Sequence, residues 1–254
     1  MDSVRYNQWM LKKLTQSVIN RATGRIVANP APPEDTTFVP APSFAEASEL
    51  ASSGYGNLVA RGAPNGVWSQ TDMPDYTAPM LTSVSVAAQS VQERPLKVLD
   101  FGGRTGFFRS YVNSVLGLKT EWRVVETEEQ VQHNLDLNRD GLEFSTEIGS
   151  DTYDIAIFAG SLQYVDGWRD VLNQTKASYW HFSRTPFGQT EHFFVQTIID
   201  DGHTFKVPGR IICWDDFMAA MSGAEMFASW TGSSHLHSMG IFQSPTMLWK
   251  SKTL

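Results

Sequence analysis

Residues 98–106 read Val-Leu-Asp-Phe-Gly-Gly-Arg-Thr-Gly, a short apolar run closing on Asp100 and then three glycines in five positions. Gly102 and Gly103 let a chain turn sharply beside a ligand, and Gly106 lets a following helix approach the strand closely. Glu126 ends the next apolar run, Glu121–Glu126, and stands 20 residues after Gly106. A carboxylate at that distance suits the two hydroxyls of a ribose. The pair therefore points to a cofactor containing adenosine. The glycines do not follow the G-x-G-x-x-G form that seats a pyrophosphate on a helix N-terminus. A cofactor without phosphate needs no such cradle, and S-adenosyl-L-methionine, with S-adenosyl-L-homocysteine as its product, is the expectation.

These residues need a frame to hold them. From Leu96 onward, apolar runs alternate with segments of helical pattern: Leu96–Phe101, Glu121–Glu126, Gly141–Glu147, Tyr153–Phe158 and Ser178–Ser183 as strands, with helices over Phe107–Leu116, Glu128–Asn138 and Trp168–Gln174. Such alternation predicts a parallel sheet covered on both faces. Trp214–Met221 reads as a helix, and Phe227–Trp230 and Met247–Trp249 as closing strands. Upstream, residues 7–20 carry a rough apolar stripe, the proline-rich stretch 29–43 reads as an extended connection, Ser43 can cap a helix with Glu46 three positions on, and a further helix covers Tyr76–Gln92. The expected division is residues 1–93 as helical extension, lid and linker, and 94–254 as the cofactor-binding domain.

The motifs resemble those of class I S-adenosylmethionine-dependent methyltransferases: Asp100-x-Gly102-Gly103-x-x-Gly106 is similar to their first motif and Glu126 to their acidic residue after the second strand. More narrowly, the chain resembles a methyltransferase family first noted in Leptospira and often encoded near surface-polysaccharide genes. That resemblance rests on Asp-Phe-Gly-Gly-x-x-Gly at 100–106, Trp122-Arg123-Val124-Val125-Glu126, Ser161-Leu162-Gln163-Tyr164 (one residue shorter than the family's form), Arg184-Thr185-Pro186, Val195-Gln196, Phe44–Ala47 and Ser53-Gly54-Tyr55. It implies an α/β, Rossmann-like class I methyltransferase fold: a mostly parallel seven-stranded sheet with helices on both faces and an N-terminal helical extension. It also implies cofactor contacts from Tyr55 on a flap, Asp100, Gly102, Gly103, Gly106 and Glu126, from Ser145 or Thr146 near the adenine, and from Ser161 and Leu162.

Methyl transfer is a direct displacement at a sulfonium carbon, so it needs alignment, exclusion of water and sometimes a base. His192 is the candidate base, Tyr164 a donor or cover, and Arg184 a clamp for a substrate carboxylate or phosphate. His181 falls inside a strand pattern and reads as a core histidine. His203 and His235-x-His237 lack an H-E-x-x-H or cysteine partner set, so a bound metal is not expected. Trp68, Trp168, Trp214 and Trp230 could line an apolar acceptor pocket.

The net charge is -7, which weighs against nucleic acid as partner. Residues 1–25 run against that trend, with five basic residues facing Asp2 alone; a stripe there serves either a lid or a homodimer contact. The single cysteine, Cys213, excludes an internal disulfide, and neither a signal peptide nor a span of 18 apolar residues is present. The expectation is a cytoplasmic enzyme methylating oxygen or nitrogen of a small molecule, a carboxylate or aromatic metabolite. Saccharide methylation and a non-catalytic cofactor-binding subunit stand as alternatives.

Overall fold

The computed structural model describes residues 37–51, 76–91, 93–138, 141–200, 203–237 and 240–253, without the side chains of 37, 199, 200, 203, 231–237 and 240–242. The basic segment 1–25, Tyr55, Trp68 and the histidines at 203, 235 and 237 lie outside what is described at that level.

Local chemistry sets several boundaries. Strand β1 (Thr37–Ala41) precedes helix α1 (Phe44–Leu50), whose N-cap Ser43 accepts from the Glu46 N–H at 3.1 Å. Helix α2 spans Thr77–Ala88. Then come β2 (Leu96–Phe101), α3 (Phe107–Tyr111) running into a π turn, β3 (Thr120–Val125), α4 (Glu128–Asn134), β4 (Leu142–Ser145), β5 (Thr152–Ala159), α5 (Trp168–Gln174) and β6 (Lys176–Ser183). Thr127 caps α4 by accepting from Gln130 N–H. The chain ends with β7 (Phe187–Gly188), β8 (His192–Asp200), β9 (His203–Cys213), α6 (Trp214–Ala220), β10 (Ala224–His237) and β11 (Gly240–Ser251).

The sheet is mixed and larger than the seven strands expected. Among the described residues eleven strands join, in the order β1-β8-β9-β7-β11-β6-β5-β2-β3-β4, with β10 paired to β11 off this path. Strands β4, β3, β2, β5 and β6 pair in parallel, as do β7 and β9; β11 runs antiparallel to both β6 and β10. The chain winds outward from β2 through β3 to β4, then returns to β5 on the other side of β2. A parallel sheet opens a crevice beyond its carboxyl ends at such a reversal, here between β2 and β5.

Alternation divides the two faces. Leu99, Phe158, Leu162, Trp168, Phe182, Phe217 and Met247 belong to one buried cluster on the side of α5 and α6. On the other side, the Ser83 hydroxyl of α2 meets Nδ1 of His181 on β6 at 2.9 Å, and Tyr76, just before α2, lies over Arg184, just after β6. Helix α2 therefore runs antiparallel to β6, with its N-terminus at the carboxyl edge of the sheet. Among the described residues no helix is long and apolar enough to cross a membrane.

The segment 187–213 was not resolved into strands by sequence patterning. Strands β8 and β9 form a hairpin that accepts β1 along its edge, Thr37 opposite Thr197 and Ala41 opposite Phe193. Pro40, which lacks an N–H, is tolerated because β1 is an edge strand. Arg210 on β9 fastens this layer: its side chain is only 4% exposed, donates to Asp166 at 2.8 Å and Glu191 at 3.0 Å, and lies 4.4 Å from the Phe44 ring. Asp166 is largely in water, which discounts the pair. Arg210→Ala is expected to cost about 1–3 kcal/mol. Amide exchange should accelerate in β1 and α1 before β2 and β5; uniform acceleration across the sheet would show that Arg210 fastens no separate layer.

Candidate cofactor and acceptor site

The turn after β2 is built by contacts that only glycine permits. A Cβ on Gly102, whose φ is 71°, would lie 2.4 Å from Cβ of Ser161; one on Gly103 would lie 2.4 Å from Cγ of Asp100. The first contact joins the loops after β2 and β5 directly, closing the base of the crevice. The second shows that Asp100 turns its carboxylate under the glycine turn. There Oδ2 accepts from the Trp122 indole N–H at 3.1 Å. Asp100 is buried, and desolvation lifts its pKa to about 7, against the lowering pull of the indole bond. The neighbouring Glu126 charge also raises it, and Arg184 lowers it. Gly106 packs against Val124 and Leu142, as helix-to-strand contact requires.

Glu126 is held at the mouth of the same turn. Its Oε1 accepts from Arg104 N–H at 2.9 Å and its Oε2 from Thr127 N–H at 3.2 Å. Arg104 reaches its position with φ 52°, uncommon for a residue with a side chain. The two backbone donors fix the orientation of the carboxylate at the edge of the turn. Ser145 ends β4 beside Glu126, its carbonyl accepting from Glu126 N–H at 3.0 Å. The Ser145 hydroxyl is engaged locally with the backbone of Glu147, and Thr146 is exposed.

The loop after β5 contributes differently from what its sequence suggests. Ser161 carries a buried hydroxyl with no hydrogen-bond partner among the described residues. The Leu162 side chain is fully buried in the core, so only its backbone can face a ligand. Tyr164 donates to Oε1 of Gln196 on β8 at 2.6 Å. Desolvation raises its phenol pKa, which keeps it protonated and a donor.

Arg184 adopts φ 56° just beyond β6, turns its guanidinium back to donate to the Ala159 carbonyl, and lies 4.2 Å from the Tyr76 ring. No carboxylate among the described residues pairs with it. Asp100, Gly102, Gly103, Glu126, Ser161 and Arg184 thus gather at one edge. His192 is not brought into that group. It begins β8, exposed, with Nε2 2.9 Å from the Thr190 hydroxyl, and β8 is separated from β2 by five strands of the sheet order. Trp168 is wholly inside the core and cannot line an acceptor pocket, whereas Trp214 does line a cleft of about 910 Å³ with Phe187, Met226, Gln243, Pro245 and Met247. That cleft opens beside β7 and the start of α6.

Sequence patterning singled out neither Tyr76 nor the roles of Trp122, Gln196 and Arg210. The Trp122 indole donor could have been suspected, since a buried tryptophan N–H seeks an acceptor and Asp100 is in the adjacent run. His181 is a core histidine, as read, but only Nδ1 has a partner; Nε2 is buried without one among the described residues. Among those residues no cluster of three or more His, Cys, Asp or Glu could hold a metal.

No protein-family model matches this sequence, and no curated protein matches it. Solved structures do resemble it in shape. One is the 1,6-didemethyltoxoflavin-N1-methyltransferase of Burkholderia thailandensis with 1,6-didemethyltoxoflavin and S-adenosylhomocysteine bound, 14% identical, with 84% of this chain and 94% of that one covered at a TM-score of 0.49. Another is an S-adenosylmethionine-dependent methyltransferase from Clostridium acetobutylicum, 8% identical, covering 72% and 94% at 0.46. The N-terminal domain of EvdMO1 with SAH bound is 12% identical, covering 82% and 95% at 0.45.

Two buried groups set opposed pH dependences. Asp100, at about 7 against an ordinary 3.8, contributes stability that is full below pH 3.8 and lost as pH rises towards 7. His181 is lowered from 6.5 to about 3 by burial and by Arg184, so its contribution is full above pH 6.5 and lost as pH falls towards 3. Between these limits the two slopes oppose each other. Relative to the wild type, Asp100→Asn should gain stability as pH rises from 4 to 6.5, by on the order of 1 kcal/mol per pH unit in urea unfolding. A stability difference constant across that range would mean that Asp100 is ionised throughout.

Proposed function

We propose that this chain is an S-adenosylmethionine-dependent methyltransferase acting on a small molecule. The observation that carries the reading is the joined turn at the β2–β5 crevice, with the Glu126 carboxylate fixed beside it by two backbone N–H groups. The residues present fit the cofactor. Glu126 would take the ribose hydroxyls, the Gly102–Gly103 turn would pass beneath the nucleoside, and the unpartnered Ser161 hydroxyl offers a donor at the base of the crevice. A cofactor of this kind supplies an electrophilic methyl group.

The residues of the chain do the rest. Gly102, Gly103 and Ser161 shape a narrow base that sets the direction of approach, and direction governs an in-line displacement. Tyr164 gives its one O–H to Gln196 and so ties the loop after β5 to β8. Arg184 presents a cation for an acidic acceptor, whose oxygen would already be deprotonated and need no base. The aromatic and methionine lining of the cleft beside β7 suits an apolar or aromatic acceptor body. His192 as general base has no geometric support and is set aside in this reading. Methylation at oxygen of a carboxylate or phenol is the form these features favour. The division at residues 93 and 94, with the basic N-terminal segment as a lid, is kept as part of the proposal.

Calorimetric titration tests the reading at once. S-adenosylmethionine and S-adenosylhomocysteine should bind and NAD should not; the reverse pattern ends it. Glu126→Ala should weaken S-adenosylhomocysteine by roughly 1.5–3 kcal/mol, the worth of hydrogen bonds to a charged group. Unaltered affinity in a folded variant would remove Glu126 from the site.

A further inference from the structure

Resting on the reading above, we propose that the N-terminus of α2, the Arg184 guanidinium and the hydroxyls of Thr77, Ser183 and Thr185 form a receptor for one carboxylate group. Three buried hydroxyls stand beside Tyr76 and Arg184 along the chain, each without a partner among the described residues. Thr77, Ser183 and Thr185 are each at least 99% buried, and each hydroxyl lacks a hydrogen-bond partner among the described residues. Buried hydroxyls are rarely left so. Their common location follows from the chain path. Ser183 and Thr185 flank Arg184, Tyr76 covers Arg184, and Thr77 follows Tyr76 as the first residue of α2. Ser183 shares the sheet face of His181, which touches Ser83 further along the same helix.

Three further observations point to an anion. The 12-residue helix α2 directs its positive end at this spot and has no side-chain N-cap. The guanidinium, held by one carbonyl and an aromatic face, forms no ion pair with a carboxylate among the described residues. Arg184 also keeps a left-handed φ of 56°, a cost tolerated where a side chain must be aimed. The choice of a carboxylate over a phosphate comes from the neighbours. The site borders Asp100 and Glu126, whose charges interact, and a dianion there would meet more repulsion than a monoanion. The planar fork of arginine also matches a carboxylate with two parallel bonds.

The carboxylate can belong to the amino-acid end of the cofactor or to the acceptor, and binding experiments separate the two. S-adenosylhomocysteine and 5′-methylthioadenosine, the same nucleoside thioether without a carboxylate, are titrated into wild type and Arg184→Gly. Glycine keeps the backbone φ while removing the guanidinium. Benzoate, benzamide and inorganic phosphate are titrated into both proteins, with and without S-adenosylhomocysteine. If the cofactor supplies the group, Arg184→Gly weakens S-adenosylhomocysteine about tenfold or more and leaves methylthioadenosine unchanged. If the acceptor supplies it, S-adenosylhomocysteine is unaffected, while benzoate binds wild type about tenfold tighter than benzamide or phosphate and loses that margin in the variant.

Equal binding of S-adenosylhomocysteine by both proteins together with no preference for benzoate overturns the receptor, and a preference for phosphate overturns its assigned class. Wild type binding neither nucleoside would end the methyltransferase reading alone, since the benzoate titration without nucleoside still decides the receptor. Thr185→Val, nearly the same shape without the hydroxyl, gives an independent reading if Arg184→Gly does not fold: a severalfold loss for the same carboxylate supports the receptor, and no loss counts against it.

Discussion

A single buried carboxylate holds the site together. Asp100 lies beneath the turn that follows β2, so close to Gly103 that no side chain fits between them, and its oxygen is fixed by the indole of Trp122 on β3. The pairing of β2 with β3 therefore continues into the turn as a side-chain contact. Glu126 is positioned one step further, by the N–H of Arg104 within that turn. The loop after β5 then abuts Gly102 through Ser161. Each group expected to meet the cofactor is located by the one before it, and the series begins at Asp100. The low dielectric that makes Asp100 hard to ionise is the same enclosure that keeps water from the base of the crevice.

How much of this was legible follows from where local rules act. The cap at Ser43, the strand and glycine turn at 96–106, the acid at Glu126 and the helix at Trp168–Gln174 are written in short-range signals, and the structure places elements there. Strands β8 and β9 were not legible for a physical reason. Val207-Pro208-Gly209 reads as a break, yet it lies inside β9, because Gly209 is overlain by the Phe194 ring, which would stand 2.4 Å from an added Cβ. A glycine that reads as a stop is here a seat for an aromatic. Nothing in the nearby sequence announces a ring from the partner strand.

The side chains followed the same division. Gly102, Gly103 and Glu126 are marked by local signals, a glycine turn after one strand and an acid at the end of the next, and the structure sets them at one sheet edge with Ser161. His192 stood out for its chemistry alone, and its side chain is exposed at the start of β8. Tyr76 and Thr77 were overlooked because their importance depends on α2 running antiparallel to β6, a relation between elements about a hundred residues apart.

The strand β1 carries a consequence for how the molecule is made. Thr37 pairs with Thr197, 160 positions later in the chain. Closing so long a loop is costly in entropy unless much of the intervening chain is already compact. Synthesis runs from the N-terminus, so β1 emerges before β8 and waits until 160 further positions have been made. In the meantime it is an unpaired apolar segment beside a helix, Phe38 and Val39 included. Pro40 within it denies a hydrogen-bond donor to any foreign strand that would pair there. The residue that marks β1 as an edge in the finished sheet is thus also its protection during the interval when no sheet yet exists to receive it.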